Sequence, residues 1–193
     1  VGSEMCIRDR STIPAITALG LQSMPTGAAY YNNAIWFFFP IPTGYAGTRT
    51  ANDLVKLSLG YSAGYPQPIG FEVFRTNVMQ SIANSSADIS INVNTGLMYG
   101  TTSTGMLYSI NLNSPTNSFE LIKTGLPSFQ NSFDITHTNL YLHNAQTGDW
   151  SMFTPNDKKI VSLGFTSIVT PGLSDGVGFK DLAGPNYSLT AIS

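Results

Sequence analysis

The sequence has few of the side chains that carry out chemistry. Its 193 residues include one cysteine, two histidines and eleven acidic residues, and charged residues make up 10% of the chain, against about 25% in an ordinary soluble domain. A single cysteine, Cys6, excludes an internal disulfide and a zinc site built from thiolates. With nine Lys and Arg and a net charge of −2, the chain lacks the basic surface that follows phosphates. The composition therefore predicts no nucleic-acid partner.

Long hydrophobic runs are also missing. The longest apolar stretch, residues 34–41, is far shorter than the roughly 20 residues that a membrane helix needs. We therefore predict no membrane-spanning segment. Gly, Ser, Thr, Asn and Tyr are plentiful, and such a neutral polar composition is typical of secreted or cell-surface β proteins. We expect that location, and a signal peptide would lie upstream of residue 11.

The first ten residues, VGSEMCIRDR, differ from the rest of the chain. They are charged and show no strand pattern, and as a string they closely resemble the translation of a sequencing adapter. We predict that residues 1–10 are not part of the fold, which then runs from residue 11 to 193. Because Cys6 belongs to this segment, the remaining chain has no cysteine. We further expect a fragment that is truncated at both ends.

A regular repeat is the strongest pattern in the remaining chain. Three similar strand-like runs begin 46 residues apart, since 133 − 87 = 46 and 179 − 133 = 46. They open with Ala87-Asp88-Ile89, Phe133-Asp134-Ile135 and Phe179-Lys180-Asp181-Leu182. Sheet repeats of about 40–50 residues are the signature of β-propellers, in which each blade buries its faces against its neighbours. The repeat predicts an all-β chain of about three to four four-stranded antiparallel blades, with a two-sheet β-sandwich as the alternative.

The blades are predicted from alternating apolar residues and polar turns. We place them at residues 26–76, 87–127 and 132–166, with a partial blade at 177–193. In the second blade, Ile89, Ile91 and Val93 alternate with polar residues and end in the turn Asn94-Thr95-Gly96. The third blade is predicted to begin with a strand at 133–136. The first blade carries two Gly/Pro/Tyr-rich stretches, 40–52 and 60–68, which we interpret as long loops.

Two local motifs resemble known propeller repeats. Residues 95–100 and 105–112, with the letters TGLMYG and GMLYSINL, are similar to the repeats of secreted bacterial propellers. Residues 140–144 and 147–150, with the letters LYLHN and TGDW, resemble a kelch blade. These resemblances cover about residues 86–193. They imply the propeller fold, and propellers include enzymes, lectins and scaffolds.

Tyrosines in the two predicted loops are candidate ligand-binding residues. Tyr45 lies in the stretch 40–52, and Tyr61 and Tyr65 lie in the stretch 60–68. Tyr rings supply a large contact area and lose little entropy on binding, so they stack on sugars or anchor a protein partner. The alternative is that the rings fold back and pack the loops down.

Three charged residues are candidates for lining a central channel. Asp88, Asp134 and Lys180 are predicted to occupy equivalent positions at the starts of successive inner strands, where such positions converge. A ring of carboxylates could hold a hard cation. Lys180 weakens that ring and suits a salt bridge instead. The alternative is that each Asp accepts backbone N–H groups in the turn before its strand.

No motif identifies a catalytic, metal or cofactor site. The sequence Gly172-Leu173-Ser174-Asp175-Gly176 matches the nucleophile elbow by letter, but it lies between predicted strands rather than before a helix. His137 and His143 could approach across a hairpin, yet two imidazoles without a third ligand make a poor zinc site. We expect histidines that are exposed or bonded in turns. The prediction is no catalytic residue, no metal and no cofactor.

The favoured function is therefore a non-catalytic recognition domain that binds a glycan or a protein partner through loops on a propeller face. One alternative is a truncated propeller enzyme, a glycan hydrolase or a quinoprotein-like oxidoreductase, whose active site lies mostly in further blades. A second alternative is a structural repeat of a surface protein. Further propeller blades of the same chain are an expected partner in every case.

Overall fold

The chain folds into β-strands joined by turns. The structure, a computed structural model, describes residues 27–39, 53–74, 86–102, 104–126, 130–144 and 147–165. No helix occurs among these residues, so none of them belongs to a helix long and apolar enough to cross a membrane. The strands are β1 (Ala28–Tyr31), β2 (Ala34–Phe39), β3 (Asp53–Ser62), β4 (Tyr65–Phe74), β5 (Ser86–Asn92), β6 (Leu97–Thr102), β7 (Leu107–Asn111), β8 (Glu120–Lys123), β9 (Gln130–Phe133), β10 (Leu140–His143), β11 (Asp149–Thr154) and β12 (Lys159–Phe165).

The strands form three antiparallel sheets of four. The first sheet contains β1–β4, the second β5–β8 and the third β9–β12, and in each the strands lie side by side in chain order. The first strands of successive sheets, β1, β5 and β9, lie next to one another. The second sheet therefore lies between the other two. Residues 1–10, the motif at 172–176 and the predicted partial blade at 177–193 lie outside the described residues.

Both faces of the second sheet are buried, each against a different neighbour. One face contributes Ile91, Tyr108 and Ile110 to a cluster shared with the first sheet. The opposite face contributes Tyr99 and Leu107 to a cluster shared with the third sheet. Successive residues of a strand point to opposite faces, so a strand buried on both sides is apolar along its whole length. This is why β7 begins with adjacent large residues rather than a strict alternation.

The first sheet follows the same rule. Trp36 and Phe38 face the second sheet, whereas Phe37 belongs to a separate cluster on the outward face, the face of the first sheet away from the second. All three side chains are buried. The unbroken aromatic run in β2 is therefore explained by burial on both faces, as its lack of alternation predicts.

The interpretation of residues 60–68 as a loop is wrong. These residues continue β3 and β4 into one long hairpin, with Gly60 paired to Gln67 and Ser62 paired to Tyr65. The two-residue turn Ala63-Gly64 has φ values of 51° and 82°. Both are positive, as the tight hairpin turn that matches strand twist requires. Glycine and proline are typical of loops, but in this stretch they occupy an edge hairpin, where both are tolerated.

The predicted start of the third blade is also wrong. Its first strand is Gln130–Phe133, and residues 134–139 form the following turn. The correct repeat aligns Ile91, paired to Met98, with Phe133, paired to Leu140, an offset of 133 − 91 = 42 residues rather than 46. The exposed fractions agree, since Ile89 is 4% exposed and Ile135 is 52% exposed. The two Asp-Ile pairs look alike in sequence but occupy different places.

Candidate functional site

The end of the first sheet projects beyond its neighbouring strands. The last pair between β2 and β3 is Ala34 with Ser58, and the N–H of Leu59 then donates to the carbonyl of Asn33 at 2.7 Å. Residues 60–62 extend past this point, which at about 3.3 Å a residue is roughly 10 Å. We call residues 59–69 the tyrosine hairpin. It is a two-stranded ribbon rather than a loop.

The outer edge of the tyrosine hairpin contains two prolines. Pro66 pairs with Tyr61 and Pro68 with Leu59. Ser62 and Tyr65 flank the two-residue turn as a hydrogen-bonded pair. Hydrogen-bonded and non-hydrogen-bonded pairs alternate along an antiparallel ladder, so the pairs that contain Pro66 and Pro68 are non-hydrogen-bonded. The β4 nitrogens in these two pairs therefore face the open edge of the sheet. Proline has no N–H, and the edge therefore offers few donors to an added strand.

Three large apolar side chains are exposed on this hairpin. Tyr61 is 66%, Tyr65 65% and Ile69 71% exposed. The structure does not bring the two tyrosines together on one surface. Directly paired residues share a face, and Tyr61 pairs with Pro66 whereas Tyr65 pairs with Ser62, so the two rings lie on opposite faces of the ribbon.

The Tyr61 ring lies on the outward face. Its hydroxyl interacts with the hydroxyl of Tyr30, and Tyr30 also donates to Oδ1 of Asn33 at 2.9 Å. Desolvation, together with the hydrogen bond and the charge of Tyr61, raises the pKa of Tyr30. Tyr61 and Tyr30 therefore lie close together, and the hydrogen bond between Tyr30 and Asn33 lies beside the exposed Tyr61 ring.

The Tyr65 ring lies on the opposite face, which the first sheet turns towards the second. Ile69 is the extra residue at the irregularity opposite Ser58 and Leu59. Its side chain covers Gly60, where a Cβ atom would lie 2.8 Å from Ile69 Cγ2. Tyr65, Ile69 and the flat surface at Gly60 share this face with two polar residues, Ser62 and Gln67, which pair with Tyr65 and Gly60.

Two of the predicted site residues cannot be placed. Tyr45 and Lys180 lie outside the described residues. The proposed grouping of Tyr45 with the other tyrosines, and of Lys180 with the two aspartates, stays a prediction.

Asp88 connects the second and third sheets. It is buried near the start of β5, and its Oδ2 accepts the backbone N–H of Asn131 at 2.8 Å. The amide of Asn131 in turn donates to the Asp88 carbonyl and to Thr101 Oγ1, each at 3.0 Å. Asp88 therefore accepts one backbone N–H from the neighbouring sheet and a second, at 2.9 Å, from Ile89 of its own strand. The turn that precedes β5 lies outside the described residues.

Asp134 is not equivalent to Asp88. It follows the end of β9, and its carboxylate accepts the N–H and hydroxyl of Thr138 and the N–H and amide of Asn139. Desolvation raises its pKa, but these hydrogen bonds outweigh desolvation and hold the pKa below its usual value. Its counterpart is Asn92, whose Oδ1 accepts N–H groups of the corresponding turn.

Both histidines are buried, contrary to the expectation of exposed or turn-bonded rings. His137 packs on Phe133 with ring centres 5.7 Å apart, and His143 packs on Trp150 at 4.4 Å. Burial lowers the pKa of each. The histidines lie at opposite ends of the β9–β10 hairpin, so they do not share a site. Within the described ranges, no three His, Cys, Asp or Glu side chains are grouped to hold a metal ion.

Sequence reasoning missed three members of this site. Asn33 lies in the two-residue β1–β2 turn, and Tyr30 lies just before the pair that flanks it, Tyr31 and Ala34. This turn lies at the same end of the sheet as the Ala63-Gly64 turn, because two hairpins in succession return the chain to that end. Had 60–68 been recognised as a hairpin, the same logic would have found both residues. No sequence signal identifies Ile69, because the alternation of apolar and polar residues along a strand does not reveal a β-bulge.

The comparisons with known proteins concern the fold. No protein-family model and no curated protein matches the sequence. Among solved structures, the chain is similar to one in a nidogen/laminin complex, with a TM-score of 0.51, 12% identity and coverage of 75% of this chain and 49% of that chain. It is also similar to a structural genomics protein of unknown function from Bacteroides thetaiotaomicron VPI-5482, with a TM-score of 0.48, 12% identity and coverage of 70% and 32%.

A third similar structure is that of apo AztD from Citrobacter koseri, with a TM-score of 0.44, 11% identity and coverage of 72% and 34%. The chain thus spans about half or less of the length of each of these proteins. Identities this low carry information about the fold alone. Three four-stranded antiparallel sheets side by side, together with the match to the nidogen/laminin complex chain, show that this chain has a β-propeller fold and not a two-sheet sandwich.

Proposed function

We propose that the chain is a non-catalytic recognition domain that binds a glycan or a protein partner through the tyrosine hairpin. One observation carries the proposal: Tyr61, Tyr65 and Ile69 are all more than 60% exposed on a single projecting hairpin. Single exposed apolar residues are ordinary, but here both faces of one short ribbon carry an exposed aromatic ring, and Ile69 adds exposed apolar surface; exposed apolar surface concentrated on one element marks a binding site. Exposed aromatic rings are also the side chains that contribute most to recognition.

The hairpin is well suited to binding because its backbone is already ordered before a ligand binds. Each tyrosine lies on a paired strand, and Pro66 and Pro68 restrict the backbone of β4. A surface that is already ordered loses less conformational entropy when a ligand binds. This supports the hairpin over a flexible loop as the contact element.

The partner surface is expected to be largely uncharged. From residue 57 to residue 71 the sequence contains no Asp, Glu, Lys or Arg. The flanking charges, Lys56 and Glu72, are bonded to each other at 2.7 Å. Binding would then depend on stacking and hydrogen bonds, and would change little with salt concentration.

The wider setting of the proposal is extracellular. The low charge and abundance of small polar residues fit a secreted or cell-surface domain. The similar chain from the nidogen/laminin complex belongs to an assembly of proteins, and by analogy we include proteins among the candidate partners.

The test compares binding and stability in the same variants. The double variant Tyr61→Ala/Tyr65→Ala should lose binding to an immobilised glycan and cell-surface protein array while its melting temperature stays within a few degrees of the original chain. Ile135→Ala is the matched control, since Ile135 is also exposed but lies in a turn of the third sheet. Unchanged binding in the double variant, or a loss that follows only the unfolded fraction, would overturn the proposal.

A further inference from the structure

The two exposed tyrosines differ in their surroundings. Tyr61 has the Tyr30 hydroxyl and the Asn33 amide beside it on the outward face. Tyr65 has the Ile69 side chain and the glycine surface of Gly60 on the opposite face. Ser62 and Gln67 of the hairpin also lie on the Tyr65 face, since they pair with Tyr65 and Gly60. Tyr61 differs in that a phenol and a carboxamide from the β1–β2 hairpin lie beside its ring.

These surroundings suit different ligands. A sugar ring offers an apolar face of C–H groups and a rim of hydroxyls, so its site needs an aromatic ring and nearby hydrogen-bonding groups. Tyr61 supplies the ring. The phenol of Tyr30 and the exposed carboxamide of Asn33 can donate to and accept from sugar hydroxyls.

We propose that Tyr61, Tyr30 and Asn33 form a subsite for a neutral sugar ring, and that Tyr65 takes no part in it. The inference rests on the proposed function and narrows it to one face and one ligand class. The absence of charged residues between 57 and 71 favours neutral over acidic sugars, because the hairpin itself supplies no cation to pair with a carboxylate or sulfate. A ligand stacked on Tyr61 cannot also stack on Tyr65, since the ribbon separates the two rings.

The experiment uses Tyr61→Ala and Tyr65→Ala as a matched pair. Both remove the same side chain, from the same hairpin, at nearly the same exposure. The probes are the neutral polysaccharides xylan, mixed-linkage β-glucan and galactomannan, with polygalacturonate as the acidic comparison, measured by affinity electrophoresis of the full chain. Thermal unfolding of each variant serves as the control for folding.

The expected result is retention by at least one neutral polysaccharide but not by polygalacturonate. Tyr61→Ala should weaken that retention about tenfold or more, as the loss of an aromatic anchor does, and by more than Tyr65→Ala does. Ile135→Ala, which removes an exposed side chain of the third sheet, should change it less than about twofold. Tyr30→Phe, which keeps the ring and removes the hydroxyl, should fall between Tyr61→Ala and Ile135→Ala.

Other outcomes are decisive against the inference. If Tyr65→Ala weakens retention by the polysaccharide as much as Tyr61→Ala does, or more, the sugar subsite is wrong, although recognition through the hairpin still stands. No retention by any neutral polysaccharide would overturn the subsite, and array binding that still required both tyrosines would then point to a protein partner. Retention that neither variant changes would overturn the subsite and remove the hairpin from glycan binding altogether.

Discussion

Asp88 acts at the residue scale as a link between two sheets. Its buried carboxylate accepts the N–H of Asn131 on the neighbouring sheet, a donor that would otherwise lack a partner in the interior. A buried polar group without its partner is costly. The link therefore has a larger effect than its single hydrogen bond suggests.

Replacing Asp88 should accordingly destabilise the fold. We expect Asp88→Ala to lower the free energy of unfolding by about 1–3 kcal/mol, because the N–H of Asn131 is left buried and unsatisfied. Urea unfolding followed by circular dichroism measures the change. Asp149→Ala is the control, since Asp149 is exposed and its carboxylate accepts the hydroxyl of the nearby Thr147, and it should cost less than about 0.5 kcal/mol. Similar effects in the two variants would argue against a special role for Asp88.

The buried histidines predict a loss of stability in mild acid. His137 and His143 have folded-state pKa values below the ordinary 6.5, so the unfolded chain binds more protons as the pH falls. The stability that these neutral rings provide is present above pH 6.5 and declines below it, by at most about 1.4 kcal/mol per pH unit for each histidine.

His143→Phe tests this prediction. Phe keeps a ring against Trp150 and cannot take up a proton, so the free energy of unfolding should depend less on pH between 6.5 and about 4.5. Urea unfolding at several pH values measures the slope. Below about pH 4 the protonation of carboxylates such as Asp134 adds its own destabilisation in both chains. Parallel slopes in the two chains would show that His143 is not the source.

At the scale of the element, the packing of strand β6 depends on a glycine, Gly100, which has no side chain. Gly100 pairs with Tyr108 on β7, and a Cβ atom on Gly100 would overlap the Tyr108 ring. The ring lies across the glycine and fills the space above the strand. This contact lets a large aromatic residue be fully buried between the first and second sheets.

Gly100→Ala should therefore disrupt the second sheet. The added methyl must displace a buried ring, at a cost of about 1–3 kcal/mol. Gly70→Ala provides the comparison, because Gly70 also lies in a strand but a Cβ atom there meets nothing within 4 Å, and its effect should stay within about 0.5 kcal/mol. Differential scanning fluorimetry distinguishes the two, and equal melting temperatures would contradict the account.

The second sheet could be predicted from sequence because its local signals agree with its packing. Alternation in β5 and the turn at Asn94-Thr95-Gly96 both point to one hairpin, and the structure forms it. The third sheet was harder because Asp134 caps a turn, a role that Asn92 plays in the second sheet. Two carboxylates followed by isoleucine look equivalent in sequence, whereas strand pairing, burial of the isoleucine and side-chain hydrogen bonds distinguish them in the structure.

The candidate site was predicted in part. Tyr61 and Tyr65 were singled out, and both are exposed. Their separation onto opposite faces could not be predicted while residues 60–68 were taken as a loop, because face assignment requires strand pairing. The position of Ile69 depends on an irregularity in pairing that leaves no mark in composition.

At the scale of the whole molecule, each of the three described sheets packs against the sheet next to it in chain order. One cluster joins the first and second sheets, and another joins the second and third. Repeat architectures of this kind gain stability from nearest-neighbour interfaces. The chain's two tryptophans report on different sheets, since Trp36 lies in β2 and Trp150 in β11.

Weakening one interface should therefore separate the two fluorescence signals. Phe153 is buried between the second and third sheets, and Phe153→Ala should cost about 3–5 kcal/mol locally. In chains that retain a single tryptophan, through Trp36→Phe or Trp150→Phe, the Trp150 signal should be lost at lower urea than the Trp36 signal. The same chains with Phe153 intact provide the control, and coincident shifts of both signals would show that the three sheets unfold as one unit.

The burial of the second sheet on both faces has a consequence for how such a chain can change over generations. Leu107 and Tyr108 are joined by a peptide bond, yet one faces the third sheet and the other faces the first. A substitution at one position calls for compensation on one side of the sheet only. Lineages can therefore remodel one interface while conserving the other. Covariation should accordingly link Leu107 with the third sheet and Tyr108 with the first, more strongly than it links these two adjacent residues with each other.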